Sequence, residues 1–273
     1  AMFGAISGQV IVAKLTALQG WQEPYIDAAI FGLLLAATIA ILFPRKVKLE
    51  GIPLNYMVLT KKVILNPQTW LAGIVGGLLF TPTAVFAMLW GVPYFENKLH
   101  LTVEMASHIT STVFFGWMVG APIAGFIADR LKMCKPVMAI SAVFLLLSFI
   151  MIVYLPATKE FSIFLMFAVG FFSGVQILSF ALAHANNSLV AQGTATGVCN
   201  FLIASIVALS TPFSGWLLHL TNHTSHPISN YSLSEYQHAL LFVPIALCVS
   251  LFLLYFVKEK SEFFEQTIEI KLK

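Results

Sequence analysis

The sequence predicts an all-α membrane protein, and three observations carry that prediction. Of its 273 residues 59% are hydrophobic and only 10% are charged, where a soluble domain averages about a quarter charged. Apolar stretches free of acidic and basic side chains recur at the ~20-residue length that crosses a bilayer as a helix. Those stretches do not alternate in the manner of barrel strands, so helices are the way to satisfy the backbone in lipid. Seven complete spans are read at residues 25–43, 69–92, 105–128, 136–154, 161–182, 194–220 and 238–257, with a partial one before them.

Residues 1–18 read as that partial helix. They begin apolar, with neither a charged flank nor a signal-peptide cleavage site, so the chain is expected to start inside a helix and to belong to a longer protein. Lys14 interrupts this segment. A cation within a membrane is a functional candidate by default, here for an anionic solute, and the competing reading is a side chain that snorkels to the nearby interface at Gln19. After the span at 25–43, "PRKVKLEGIPLNYMVLTKKVILNP" (Pro44 to Pro67) is basic with an apolar middle too short to cross. It reads as a linker along the membrane face.

In the span at 69–92, Gly73, Gly77, Thr81, Ala84 and Ala87 share one stripe, and Pro82, which lacks a backbone donor, should loosen or kink the helix. The span at 105–128 carries His108, Ser111 and Thr112 on one side, then Gly116, Gly120 and Gly125, which permit close helix approach. The spans at 136–154 and 238–257 are nearly pure Leu, Phe, Val and Ile, as lipid-facing helices should be. Ser173, Gln176 and Ser179 fall on one side of the span at 161–182, where Gly170-x-x-x-Gly174 is a packing motif. In the span at 194–220, the stripe Gly193, Gly197, Asn200, Ala204, Ala208, Thr211 and Gly215 should face protein or a cavity and not lipid.

Cations collect in every second loop: Arg45, Lys46, Lys48, Lys61 and Lys62, then Arg130, Lys132 and Lys135, then Lys258, Lys260, Lys271 and Lys273. The positive-inside bias makes these loops cytoplasmic. The alternate loops hold only Lys98 and Lys159, and residues 221–237 have neither lysine nor arginine. The sequons at Asn222 and Asn230 lie in that last loop and would accept glycan only in a eukaryote. Tyr94 suits an interfacial aromatic belt.

Two six-helix halves joined by a basic central loop, with Gly125-x-x-x-Asp129-Arg130-x-Lys132 after the second helix of a half, resemble the major facilitator superfamily. "LWGVPYF" (Leu89 to Phe95) and "GTATG" (Gly193 to Gly197) add to the likeness, while Met133 and Cys134 stand in the middle of the loop motif. The resemblance covers the whole chain. It implies the following domains: residues 1–43 ending an N-terminal bundle, a central linker at 44–67, a C-terminal six-helix bundle at 68–257, and a cytoplasmic tail at 258–273. It implies a secondary transporter that moves a small polar metabolite (an organic anion, sugar derivative or amino acid) by alternating access, as a multi-pass protein of the plasma (bacterial inner) membrane. The implied partners are the lipid bilayer, a small-molecule solute, protons if transport is coupled, and the remaining N-terminal half of the transporter.

Gln176 and Asn200 are the leading cavity candidates, because an amide in hydrocarbon needs a partner or water. Thr81, Trp90, Trp117 and Lys14 complete the candidate solute site, with packing as the competing role for the tryptophans. Gly125, Asp129, Arg130 and Lys132 form the candidate gate, and the resemblance implies that the Asp129 carboxylate faces the N-terminal end of the fifth helix, in the other half. The competing reading of Asp129 is an acid in an ordinary positive-inside stop. None of the six spans after the linker has a central Asp or Glu, so proton coupling would need an acid in the first half, or His108. Facilitated diffusion and exchange remain open. A transporter-like solute sensor without net transport is the alternative.

Enzyme chemistry is not indicated: there is no P-loop, His-Glu-x-x-His or nucleophile elbow. Cys134, Cys199 and Cys248 have no ligand-like spacing, so no metal site or disulfide frame is expected, and no cofactor. A net charge of +3 is too small to suggest nucleic acid.

Overall fold

The computed structural model describes residues 15, 19, 20, 22–42, 56–221 and 231–259. The chain divides into two units, Ala1–Asn55 and Tyr56–Lys273. In the first, helix α1 (Gln22–Leu42) runs 21 residues and is exposed along its apolar length. Lys14, the linker residues 44–55, the sequon asparagines Asn222 and Asn230 and the tail beyond 259 lie outside the described residues.

The second unit opens with α2 (Tyr56–Ile64), which at 9 residues is too short to cross a bilayer. Six long helices follow: α3 (Pro67–Leu99), α4 (Val103–Leu131), α5 (Lys135–Tyr154), α6 (Lys159–Ala185), α7 (Leu189–Thr221) and α8 (Leu233–Phe256). With α1, the described residues contain seven helices long and apolar enough to span a membrane, and the protein is an α-helical bundle of the bilayer.

Local chemistry sets the helix starts. Asn66 caps α3 by accepting from the Gln68 amide at 3.0 Å, with Pro67 in the first turn. Thr102 and Thr158 cap α4 and α6 in the same way. At α8, Ser232 and Glu235 form a capping box. The first long helix runs seven residues past the span read at 69–92, because the amphipathic stretch Gly91–Leu99 remains helical until His100 turns left-handed at φ 52°. Tyr94 in that stretch is a correction to the expected interfacial belt. Its ring is fully buried, and its hydroxyl donates to the Val153 carbonyl at 2.6 Å.

α3 is the most enclosed helix and packs against α4, α6, α7 and α8. Glycine makes the tightest crossing, between α4 and α6. A Cβ on Gly170 would lie 1.9 Å from the Val113 carbonyl oxygen, on Gly116 2.2 Å from that of Phe167, and on Gly120 2.1 Å from that of Phe171. Lipid supplies no hydrophobic drive between helices, so backbone-to-backbone packing takes its place. Gly125 departs from the expectation. A Cβ there would meet nothing within 4 Å, so it permits no close approach within this unit.

Polar clasps hold both ends. At one end, the Asn66 side chain donates to the Asn186 carbonyl at 2.7 Å, and the Asn187 amide donates to Thr69 Oγ1 at 2.8 Å. Asn186 in turn donates to the Lys258 carbonyl at 2.8 Å, while Gln68 accepts from the Lys258 amide at 2.7 Å. The Glu259 carboxylate then accepts from the backbone amides of Cys134 and Lys135 at the start of α5. Through these bonds the loops bearing Lys61 and Lys62, Arg130 and Lys132, and Lys258 share one end of the bundle, as the alternation of cationic loops required. At the other end, Lys98 donates to the carbonyls of Ile152 and Leu155, and Gln237 donates to that of Val153 at 2.9 Å. α5 has no basic residue in its own last turn, so Lys98 supplies the cation its C-terminus favours.

Glu259 has a measurable consequence. A carboxylate on a helix N-terminus contributes about 1 kcal/mol when partly buried, so Glu259→Ala should lower thermal stability by about that amount. Burial, together with the nearby carboxylates of Glu259 and Asp129, pushes the Cys134 thiol up to about 12. Thiolate labelling of Cys134 should therefore be slow at pH 7, rise about tenfold per pH unit, and be several-fold faster in Glu259→Ala. Equal rates in the two proteins would contradict the contact.

Candidate functional site

Two of the long helices are interrupted near mid-membrane. In α3, Pro82 cannot donate to the preceding turn, and residues Pro82–Trp90 wind as a nine-residue π-helix. In α6 the last turn before Leu178 tightens to a 3-10 helix over Gly174–Ile177. α3 and α6 are antiparallel, and Gly76 abuts Ser179, where a Cβ would fall 2.5 Å from the serine oxygen. Stepping six residues along each helix sets Pro82 level with Ser173. The two interruptions therefore adjoin at the Pro82–Ser173 level, one extending to each side of it.

Polar side chains gather at this level. The Trp117 indole donates to Thr83 Oγ1 at 2.9 Å, with both residues buried, and its ring meets Phe80 edge-on at 5.5 Å. Thr81 is fully buried and donates back to the Leu78 carbonyl at 2.7 Å, which takes up a group freed near the proline. The Ser173 hydroxyl is buried with no hydrogen-bond partner. Gln176 is 8% exposed, and its amide makes no hydrogen bond among the described residues. A hydroxyl left unpaired in an apolar interior costs about 1–3 kcal/mol, and Ser162, earlier in α6, carries the same cost.

The other predicted site residues lie elsewhere. Trp90 is half-buried and donates to Ser214 Oγ at 2.8 Å, which ties α3 to α7. Asn200 is exposed, in line with Gly193, Gly197, Ala204 and Ala208, on the face of α7 turned away from α3. The opposite face of α7, with Ala195, Cys199, Leu202 and Ile203, packs inward, and Leu202 fills the space over Gly73. The small-residue stripe on α3 is thus spent on helix packing, whereas that on α7 is left uncovered by the six helices. His108 is exposed, and the Ser111 and Thr112 hydroxyls bond back to their own helix.

At the candidate gate, Asp129, Arg130 and Lys132 are exposed on the basic end. Lys132 turns left-handed at φ 53° and ends α4, and the Arg130 guanidinium lies 5.5 Å from the Phe126 ring centre. Asp129 makes no hydrogen bond or ion pair among the described residues. The helix N-terminus next to it, that of α5, is already taken by Glu259.

Sequence reasoning missed Thr83 and Glu259. Thr83 sits one residue beyond the proline and one turn from Phe80, which meets the same Trp117 ring. Glu259 pairs with backbone amides 125 and 124 positions away, and nothing in a side-chain pattern points to such a partner.

A bundle of long apolar helices defines a multi-pass membrane protein. The Major Facilitator Superfamily pattern matches residues 1–212 and 74–266, so the chain belongs to the Major Facilitator Superfamily, a family of membrane transporters that are generally not enzymes. No curated protein matches it.

Proposed function

We propose that this chain carries the C-terminal lobe of a secondary transporter, with the end of the preceding lobe at residues 1–43, a central linker at 44–67, the lobe itself at 68–257 and a tail beyond. The cargo is a small polar metabolite (an organic anion, sugar derivative or amino acid), moved by alternating access as two lobes rock about a central site. The observation that carries this reading is the buried Gln176 amide and the unpaired Ser173 hydroxyl where the helix interruptions of α3 and α6 adjoin. Irregular backbone at membrane depth is tolerated where it is enclosed by protein or lines water.

In this reading Gln176 and Ser173 contact the solute, and Trp117 and Thr81 shape the wall through Thr83 and the π-segment. Asn200 and the uncovered stripe of α7 look across to the remaining N-terminal half. The linker, the Arg130–Lys135 loop and the tail are cytoplasmic, by the bias of cations to that side, in the plasma or bacterial inner membrane. Asp129, with Arg130 and Lys132, closes the cytoplasmic mouth by facing a helix N-terminus of the other half, an interaction worth up to ~2 kcal/mol when partly buried. Gly125, which has open space around it in this lobe, leaves room for that approach.

Full-length protein in proteoliposomes, offered radiolabelled organic acids, sugars and amino acids, should show saturable uptake or exchange of one class. Binding without flux would contradict transport. Repeating the assay with and without an imposed pH gradient separates proton symport from exchange and facilitated diffusion. Asp129→Asn should slow turnover about tenfold with expression intact, and unchanged turnover would count against the gate.

A further inference from the structure

α4 and α5 are joined by only three residues, Lys132 to Cys134, yet they barely touch along their lengths, because α6 wedges between them. The wedge consists of the Gly170–Gly174 segment pressed onto α4 and of Phe172 stacked on Phe144 of α5 at 5.1 Å. On the outer face this leaves a groove of 220 Å³, lined by Ile127, Leu131, Ile140, Ser141, Phe144 and Phe172. Its far end reaches Gly120. At a rise of about 1.5 Å per residue, the eleven positions from Gly120 to Leu131 cover roughly 16 Å. That is close to half of the ~30 Å hydrocarbon thickness, the depth of a single leaflet.

The groove runs from the middle of the membrane to the basic end and closes at Leu131 and Val137. Leu131 stands between Arg130 and Lys132, both exposed and both without a hydrogen-bond acceptor among the described residues. The Arg130 guanidinium lies 5.5 Å from the ring centre of the exposed Phe126, the residue before the groove-lining Ile127. Of the carboxylates nearby, Glu259 is engaged by the amides of α5, while Asp129 stays exposed. Lys135 points elsewhere, onto the Tyr255 carbonyl at 3.2 Å.

The geometry points to a binding site for one anionic phospholipid, with an acyl chain along the α4–α5–α6 groove and its phosphate against Arg130 and Lys132. The apolar lining selects a hydrocarbon chain, the one-leaflet length sets its orientation, and the two cations at the mouth select a negative headgroup. A juxtamembrane cation contributes about 1 kcal/mol toward an anionic lipid surface, so two such contacts favour the anionic over the zwitterionic lipid by roughly tenfold or more.

The test is native mass spectrometry of the full-length protein in mild detergent with equal amounts of phosphatidylglycerol and phosphatidylcholine of the same chains. The wild type should retain phosphatidylglycerol about tenfold over phosphatidylcholine. Combined Arg130→Gln and Lys132→Gln should bring the two lipids level, and Ser141→Phe, which fills the groove, should lower retention of both. Equal retention of the two lipids by the wild type would overturn the proposal, as would a preference that survives loss of both cations. Both cations are exposed, so the double variant retains its fold and decides the matter by itself should Ser141→Phe fail to accumulate.

Discussion

Gly170→Ala should cost the bundle about 3 kcal/mol or more and leave little folded protein. The added methyl would sit 1.9 Å from the Val113 carbonyl oxygen and 2.7 Å from its carbon, so the obstacle is backbone, which cannot swing aside as a side chain would. Overpacking a close-packed interior costs about 1–3 kcal/mol even where side chains can give, and here α4 and α6 would have to separate. Gly116 and Gly120 face the same kind of obstacle, so alanine at those positions should add to the damage. Gly125→Ala is the internal control. Its Cβ meets nothing within 4 Å, and alanine is a better helix former than glycine by about 1 kcal/mol, so its stability should be unchanged or slightly raised. Thermal unfolding followed by size-exclusion fluorescence separates the two outcomes. Equal behaviour of Gly170→Ala and Gly125→Ala would show that the α4–α6 crossing is not as drawn.

Gln176→Leu should have the opposite profile: a fold at least as stable as the parent and solute flux reduced about tenfold or more. Gln176 is 8% exposed and its amide makes no hydrogen bond among the described residues, and replacing such a polar group by an apolar one of similar shape removes a desolvation penalty. If that amide meets the cargo, its loss removes a hydrogen bond and leaves a polar solute group facing a methyl, and each 1.4 kcal/mol is a factor of ten in affinity. Ser173→Ala should follow the same pattern more weakly. Normal flux with either change would remove these residues from the site.

The spans and their order were legible in the sequence because bilayer thickness sets a length that composition reveals without any packing detail. The topology followed for a similar reason. Cations near Lys62, Lys132 and Lys258 are excluded from hydrocarbon wherever they fall, and the Asn66, Asn186, Lys258 and Glu259 bonds place those loops together. Gly170 and Gly174 were readable as a packing pair, since in lipid small residues are what allow backbones to meet. What could not be read was phase. Pro82 announced a break, yet an apolar helix with no polar face gives no sign that nine residues will wind as a π-helix. The 3-10 turn at Gly174–Ile177 is equally silent in its sequence. Stripes of small residues on α3 and α7 look alike as patterns, but the first is consumed by packing against Leu202 and Ile206 on the opposite face of α7, while the second is left uncovered. Deciding which is free requires the neighbour, because small residues serve close contact and open walls equally well.

The central claim is that Gln176 and Ser173, where the interruptions of α3 and α6 adjoin, belong to a polar, water-reachable level in mid-membrane. It is tested most directly by placing Gln176→Cys in a protein whose Cys134, Cys199 and Cys248 are replaced, then applying a membrane-impermeant maleimide to either side of sealed vesicles. The account predicts labelling, with Asp129→Asn shifting the rate between the two sides. A folded protein whose introduced thiol stays unlabelled from both sides would contradict it.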